Sequence, residues 1–202
     1  KTDKTELLFI ERIYLMLKNN GTAGIIVPQG VLFGSGKAFV DTRKILIDKC
    51  ELKAVISLPS GVFKPYAGVA TAILLFTKGG ETQNVWFYEM QGDGYTLDDK
   101  RSPKYLPNGE RNFEDLHRIT QAYNKRNTKK ESDRTQQHFF VPKEEIVEND
   151  YNLSLSKYKE EVYIPPVFEE PKDILAKISE IETKIMFEIK KLEDTLSWDL
   201  RN

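Results

Sequence analysis

The sequence is poor in reactive side chains. It has one cysteine, two histidines and no long apolar run in 202 residues. The lone Cys50 excludes an intrachain disulfide and suits a reducing compartment, so the expected location is the cytoplasm. It sits between a helical run and a strand, a place for packing. With only His117 and His138, no Cys/His set has metal-ligand spacing. No apolar stretch approaches the ~18 residues of a membrane span, and the start does not read as a signal peptide. No Gly-rich loop joins a strand to a helix, which excludes a phosphate cradle of that kind. Gly34-Ser35-Gly36 comes nearest, but it follows a strand end late in the sheet pattern. No Ser/His/Asp set can be assembled from spacing.

What is present is segregated. The net charge of -1 hides an excess of basic side chains over 1–80 and 100–134 and of acidic ones over 81–99 and 143–202. The basic stretches could meet a polyanion or could be ordinary solvated surface. Residues 5–19 have the apolar spacing of an amphipathic helix, stopped by Asn19-Asn20-Gly21. Thr22–Pro28 and Leu52–Leu58 are apolar on both faces, as in parallel strands covered by helices. A helix over 37–49 joins them, so 22–58 is expected to form a βαβ unit. Pro59–Gly68 is too short for a second crossover, and Val69–Phe76 is expected to return antiparallel as the last hairpin of the sheet. Another strand follows at Val85–Met90.

From Gly92 the chain turns polar. A short helix is expected over 113–123, a polar connector over 124–137, an apolar run at His138–Val141 and a stiff linker at Ile164–Phe168. Pro171–Leu200 reads as one long helix. Its Ile174, Ile178, Ile181, Ile185, Ile189, Leu192 and Leu196 form a coiled-coil-type seam. Such a seam packs either on a helical partner or back on its own domain. The expected divisions are 1–92, 93–170 and 171–202.

Two loops lie at the carboxyl ends of strands, where open α/β sheets bind ligands. Pro28-Gln-Gly-Val-Leu-Phe33 and Ser60-Gly-Val-Phe63 each place an aromatic after turn-forming residues. Such an aromatic is either a lid on the core or a stacking platform for a planar ligand.

Lys4-Thr-Glu-Leu-Leu-Phe9, Gly24-Ile-Ile-Val-Pro-Gln-Gly-Val-Leu-Phe33, Ala54-Val-Ile-Ser-Leu-Pro-Ser-Gly-Val-Phe63, Thr71-Ala-Ile-Leu-Leu-Phe-Thr-Lys78, Val85-Trp-Phe-Tyr-Glu-Met90, Gly94-Tyr-Thr-Leu-Asp-Asp-Lys-Arg101 and Asp150-Tyr-Asn-Leu-Ser154 follow one another in order. In that combination the chain resembles the modification (M) subunit of type I restriction-modification systems, adenine-specific DNA methyltransferases that use S-adenosylmethionine. The resemblance implies an α/β fold. It would be the carboxyl-terminal half of a Rossmann-like class I methyltransferase sheet ending in an antiparallel hairpin, then an irregular α+β segment and the long helix. It implies that Phe63 packs on a flipped target adenine, with Pro28, Gly30 and Phe33 on the same rim. Lys37, Arg43 and Lys64 become candidates for DNA phosphate contacts. Ile178, Ile181, Ile185, Ile189 and Leu192 would meet the specificity subunit, in a complex with the restriction subunit and DNA. The family's Gly-rich cofactor loop and its Asn-Pro-Pro-Phe motif occur nowhere in this sequence. The chain is therefore read as part of a larger protein, without catalytic or cofactor-binding residues of its own. Alone it is expected to be inactive and not to bind S-adenosylmethionine. The other reading is a non-catalytic module that docks the specificity subunit through its last helix.

Overall fold

A computed structural model describes residues 2–128, 131–161 and 170–199, without the side chains of 194 and 196–199. Two compact units result, 1–161 and 162–202. The stiff linker expected at Ile164–Phe168 lies outside the described residues.

The first unit is a five-stranded mixed sheet of β1 (Thr22–Pro28), β2 (Cys50–Leu58), β3 (Thr71–Lys78), β4 (Asn84–Glu89) and β5 (His138–Pro142). The strand order is β1-β3-β2-β4-β5. β3 runs antiparallel to both β1 and β2, so these two share a direction while β3 separates them. The expected βαβ unit is thus split by the strand that returns. The sheet also does not end in the β2–β3 pair: β4 lies parallel beside β2, and β5 pairs antiparallel with β4. The apolar run at His138–Val141 supplies β5, and it closes the sheet that the first 92 residues begin.

Two apolar layers follow from the alternation of side chains along each strand. On one face Val27, Leu52, Val55, Leu74, Phe76 and Phe87 pack beneath helices α1 (Thr5–Met16), α2 (Gly30–Phe33), α3 (Lys37–Asp48), α5 (Lys143–Glu148) and α6 (Leu155–Tyr158). The helices contribute Leu7, Ile10, Leu46, Ile47, Ile146 and Tyr158. On the other face Ala54, Leu58, Trp86, Tyr88 and Met90 meet Ile119, Ala122 and Tyr123 of α4 (Asp115–Lys125). Asn20 stops the chain after α1 in a left-handed conformation (φ 64°), as the Asn-Gly signal predicts. Cys50 is fully buried, and burial pushes its thiol pKa up, in keeping with a packing role.

The second unit contains α7 (Pro171–Asp199), a helix of 29 residues. Pro171 occupies its first turn, where a missing N–H costs little. Ile178, Ile181, Ile185, Ile189 and Leu192 are exposed along it.

Candidate functional site: the carboxyl edge of β1 and β2

At the carboxyl edge Pro28 ends β1, Leu58 ends β2, and Thr71 begins β3 between them. The two loops that leave this edge are tied together. The Gln29 N–H donates to the Ala70 carbonyl at 3.1 Å, and Gln29 Nε2 donates to Ser57 Oγ at 3.0 Å.

The loop after β2 folds as a tight turn. Gly61 has φ +93°, and a Cβ there would lie 2.4 Å from the Leu97 carbonyl oxygen, so only glycine fits. The Phe63 carbonyl accepts from Tyr66 N–H and Ala67 N–H, both at 3.0 Å. Phe63 is half-buried against the second apolar layer. It partly serves as a lid and keeps part of its surface open at the edge. Lys64 Nζ lies 3.3 Å from Asp99 Oδ1, so this cation is already paired.

The other rim residues are spread along the edge. Pro28 lines an apolar cavity of about 450 Å³ with Phe9, Ile10 and Ile26. Phe33, 53% exposed, lines a polar one of about 530 Å³ with Ser35, Asn152 and Lys157. The structure therefore places Pro28 and Phe33 at different cavities. Gly30 is exposed, and a Cβ there would meet nothing within 4 Å, so no close approach requires glycine. Lys37 is exposed on the first turn of α3.

Arg43 is a correction. It is 2% exposed and cannot reach a phosphate. Its Nε donates to the Tyr151 carbonyl at 2.6 Å, and its Nη1 donates to the carbonyls of Val31 at 3.1 Å and Gly34 at 2.9 Å. Nη2 reaches the Asp150 carbonyl at 3.4 Å. Burial pulls its pKa below the ordinary arginine value, against a partial opposing effect of Tyr158 and Asp150. The signal was present in the sequence. Arg43 stands three and four residues before the buried Leu46 and Ile47, on the apolar stripe of α3.

Its partners were not foreseen. Asp150 and Tyr151 both take left-handed backbone (φ 54° and 56°), and their carbonyls accept from the guanidinium. The Leu153 N–H donates to the Leu32 carbonyl at 2.9 Å, and Tyr158 Oη donates to the Asn152 carbonyl at 2.6 Å. The stretch 150–154 forms a turn that anchors the loop carrying Phe33.

Residues 92–113 form an excursion beside the Phe63 turn. Its centre is Arg111, whose guanidinium lies 4.3 Å from the Tyr95 ring centroid and donates to the carbonyls of Gly94 (2.7 Å) and Lys104 (3.0 Å). Among the described residues two buried side-chain atoms have no hydrogen-bond partner, Arg111 Nη2 and, at the edge, Thr71 Oγ1. Thr71→Val should raise stability by about 1 kcal/mol, since an unmet buried hydroxyl is a net cost and valine favours strands. Urea unfolding would register a higher midpoint at unchanged slope. A lower midpoint would mean that the hydroxyl has a partner.

Among the described residues no cluster of His, Cys, Asp or Glu can hold a metal ion, and no helix is long and apolar enough to cross a membrane.

Residues 1–164 match the protein family described as N-6 DNA Methylase. The chain is 44% identical over 89 residues to the type I restriction enzyme EcoEI methylase subunit of Escherichia coli, covering 44% of this chain and 18% of that protein. It is 28% identical over 188 residues to the MpnII methylase subunit of Mycoplasma pneumoniae, covering 90% of this chain and 32% of that one. A solved structure concerned with complex assembly and conformational transition of the type I restriction-modification system superposes with a TM-score of 0.58 at 26% identity. That match covers 98% of this chain and 40% of the other. The chain thus spans less than half the length of each of these proteins.

Proposed function

From the premise that this chain belongs to the N-6 DNA methylase family, we propose that it is the latter part of a type I modification subunit. The subunit transfers a methyl group from S-adenosylmethionine to the exocyclic amine of adenine in DNA. The observation that carries this reading is the Phe63 turn. It holds a half-open aromatic ring at the carboxyl edge of the sheet, the edge where open α/β folds bind their ligands.

An enzyme that modifies a base inside a duplex must take it out of the stack, and a ring that packs on the extruded base offsets the lost neighbours. Phe63 supplies that ring, and Pro28, Gly30 and Phe33 are the candidates for its rim from the loop after β1, with Pro28 and Phe33 at separate cavities. Lys37 and Lys64 are the phosphate contacts that remain once Arg43 is removed. Lys64 must then exchange its pairing with Asp99 for DNA.

The turn after β1 commits its Gln29 N–H to the Ala70 carbonyl, and the helix that follows has four residues. In this reading S-adenosylmethionine is the methyl donor of the intact subunit, and this chain alone is not expected to bind it. This chain supplies the base wall, the sheet behind it and the segments that brace it. Its setting is the cytoplasm, in a complex with specificity and restriction subunits and DNA.

The test is labelled methyl transfer to duplex DNA by the full-length subunit in its complex. Phe63→Ala should lower kcat/KM by roughly ten- to a hundredfold, the equivalent of a stacked base at about 1–3 kcal/mol. Equal rates in both proteins would remove Phe63 from the base pocket. Failure of the unaltered complex to label adenine in any DNA would end the methyltransferase reading.

A second reading has its own observation, the exposed apolar residues along α7. In that reading the chain is an assembly module that docks the specificity subunit.

A further inference from the structure

Tyr66 follows Phe63 by three residues on the same turn, and the two rings have opposite fates. Phe63 packs on the second apolar layer, while Tyr66 is 96% exposed. Val69 just beyond it is 60% exposed. Surface aromatics ordinarily cover part of their ring against a neighbour. This one does not, while the backbone that carries it is tied down. Its N–H is bonded to the Phe63 carbonyl, and Lys64 N–H donates to the Gly61 carbonyl at 3.1 Å. The turn also lies close against the Leu97 backbone at Gly61. A fully open ring on a braced turn, at the ligand edge of the sheet, has the form of an aromatic that inserts into its ligand.

We infer that Tyr66 enters the DNA duplex beside the target adenine and stacks in the place from which that base is extruded. This rests on the adenine methyltransferase reading above. Extrusion leaves two base faces without a neighbour, and an inserted side chain restores part of the stacking. Phe63 and Tyr66 then divide the work. The inward ring receives the base and the outward ring fills the gap, and their spacing is fixed by one three-residue turn. The adjacent Lys64 is a cation beside the strand that is opened.

The experiment compares two duplexes with the full-length subunit in its complex. In one the target adenine is paired. In the other it faces an abasic site, so extrusion costs less. Tyr66→Ala should lower kcat/KM roughly tenfold on the paired duplex and regain most of that loss on the unpaired one. Tyr66→Phe, which keeps the ring, should stay near the unaltered protein on both. An unchanged rate for Tyr66→Ala on paired DNA would overturn the inference. So would an equal loss on the two duplexes, which would indicate a general contact or a damaged fold. If the unaltered complex labels neither duplex, the parent reading fails, and this inference fails with it.

Discussion

Arg43→Ala should destabilise the 1–161 unit by about 4 kcal/mol, the largest loss expected from any single substitution away from the aromatic core. The side chain carries no ligand, and its effect comes from what it leaves behind. Four backbone carbonyls, those of Val31, Gly34, Asp150 and Tyr151, receive its protons. At 2% exposure water does not replace it freely. Each buried acceptor left unmet costs about 1–3 kcal/mol, part of which the surroundings recover by relaxing. The left-handed backbone at Asp150 and Tyr151 adds to the effect, since that conformation is held by the bonds it makes. Arg43→Lys should fail nearly as badly. An ammonium has a single centre, whereas the guanidinium spreads its donors over a planar fork that reaches both segments. Thermal unfolding should show a drop of roughly 10 °C for either variant. If Arg43→Lys instead unfolds at the temperature of the unaltered protein, the clamp is not what joins these two segments.

That residue also marks where sequence reasoning stopped. An arginine on a helix near a ligand edge looks the same whether it binds phosphate or backbone carbonyl, because both are oxygen acceptors. Its position on the apolar stripe with Leu46 and Ile47 distinguishes the two, and a reading guided by charge passes over it. The strands themselves were legible. Thr22–Pro28, Leu52–Leu58 and Val69–Phe76 are continuous apolar runs bounded by turn residues, and the structure places strands there. Their order was not legible, because local patterns report periodicity and not neighbours. Nothing within residues 22–78 says that β3 inserts between β1 and β2. Nothing at Val85–Met90 says that its second neighbour is His138–Val141, on the far side of a polar excursion. At the candidate site the turn around Phe63 could be anticipated from Gly61 and the aromatic after it. The bracing of that turn by Leu97 and Asp99 is a contact between distant segments. It becomes visible only when the excursion is folded beside it.

Ile181→Asp together with Ile185→Asp in α7 should abolish association of the full-length subunit with its specificity subunit, weakening it at least about a hundredfold. The two positions are one helical turn apart and lie on one face. If that face is buried in a helical interface, each introduced carboxylate loses its hydration without gaining a partner, at a cost of several kcal/mol. The same variant separates the two destinations open to an amphipathic helix. Should α7 dock on a partner subunit, calorimetric titration would lose its heat of binding while the melting temperature of the free subunit stays put. Should it serve its own chain, the melting temperature would fall and the remaining folded protein would still bind. Helix-forming tendency barely enters, because aspartate at two interior positions costs only about 0.7 kcal/mol each relative to alanine. A hundredfold loss of binding with an unmoved melting temperature therefore has to come from a partner's surface. With that result α7 becomes the assembly element and the 1–161 unit the base wall, two roles carried by one chain.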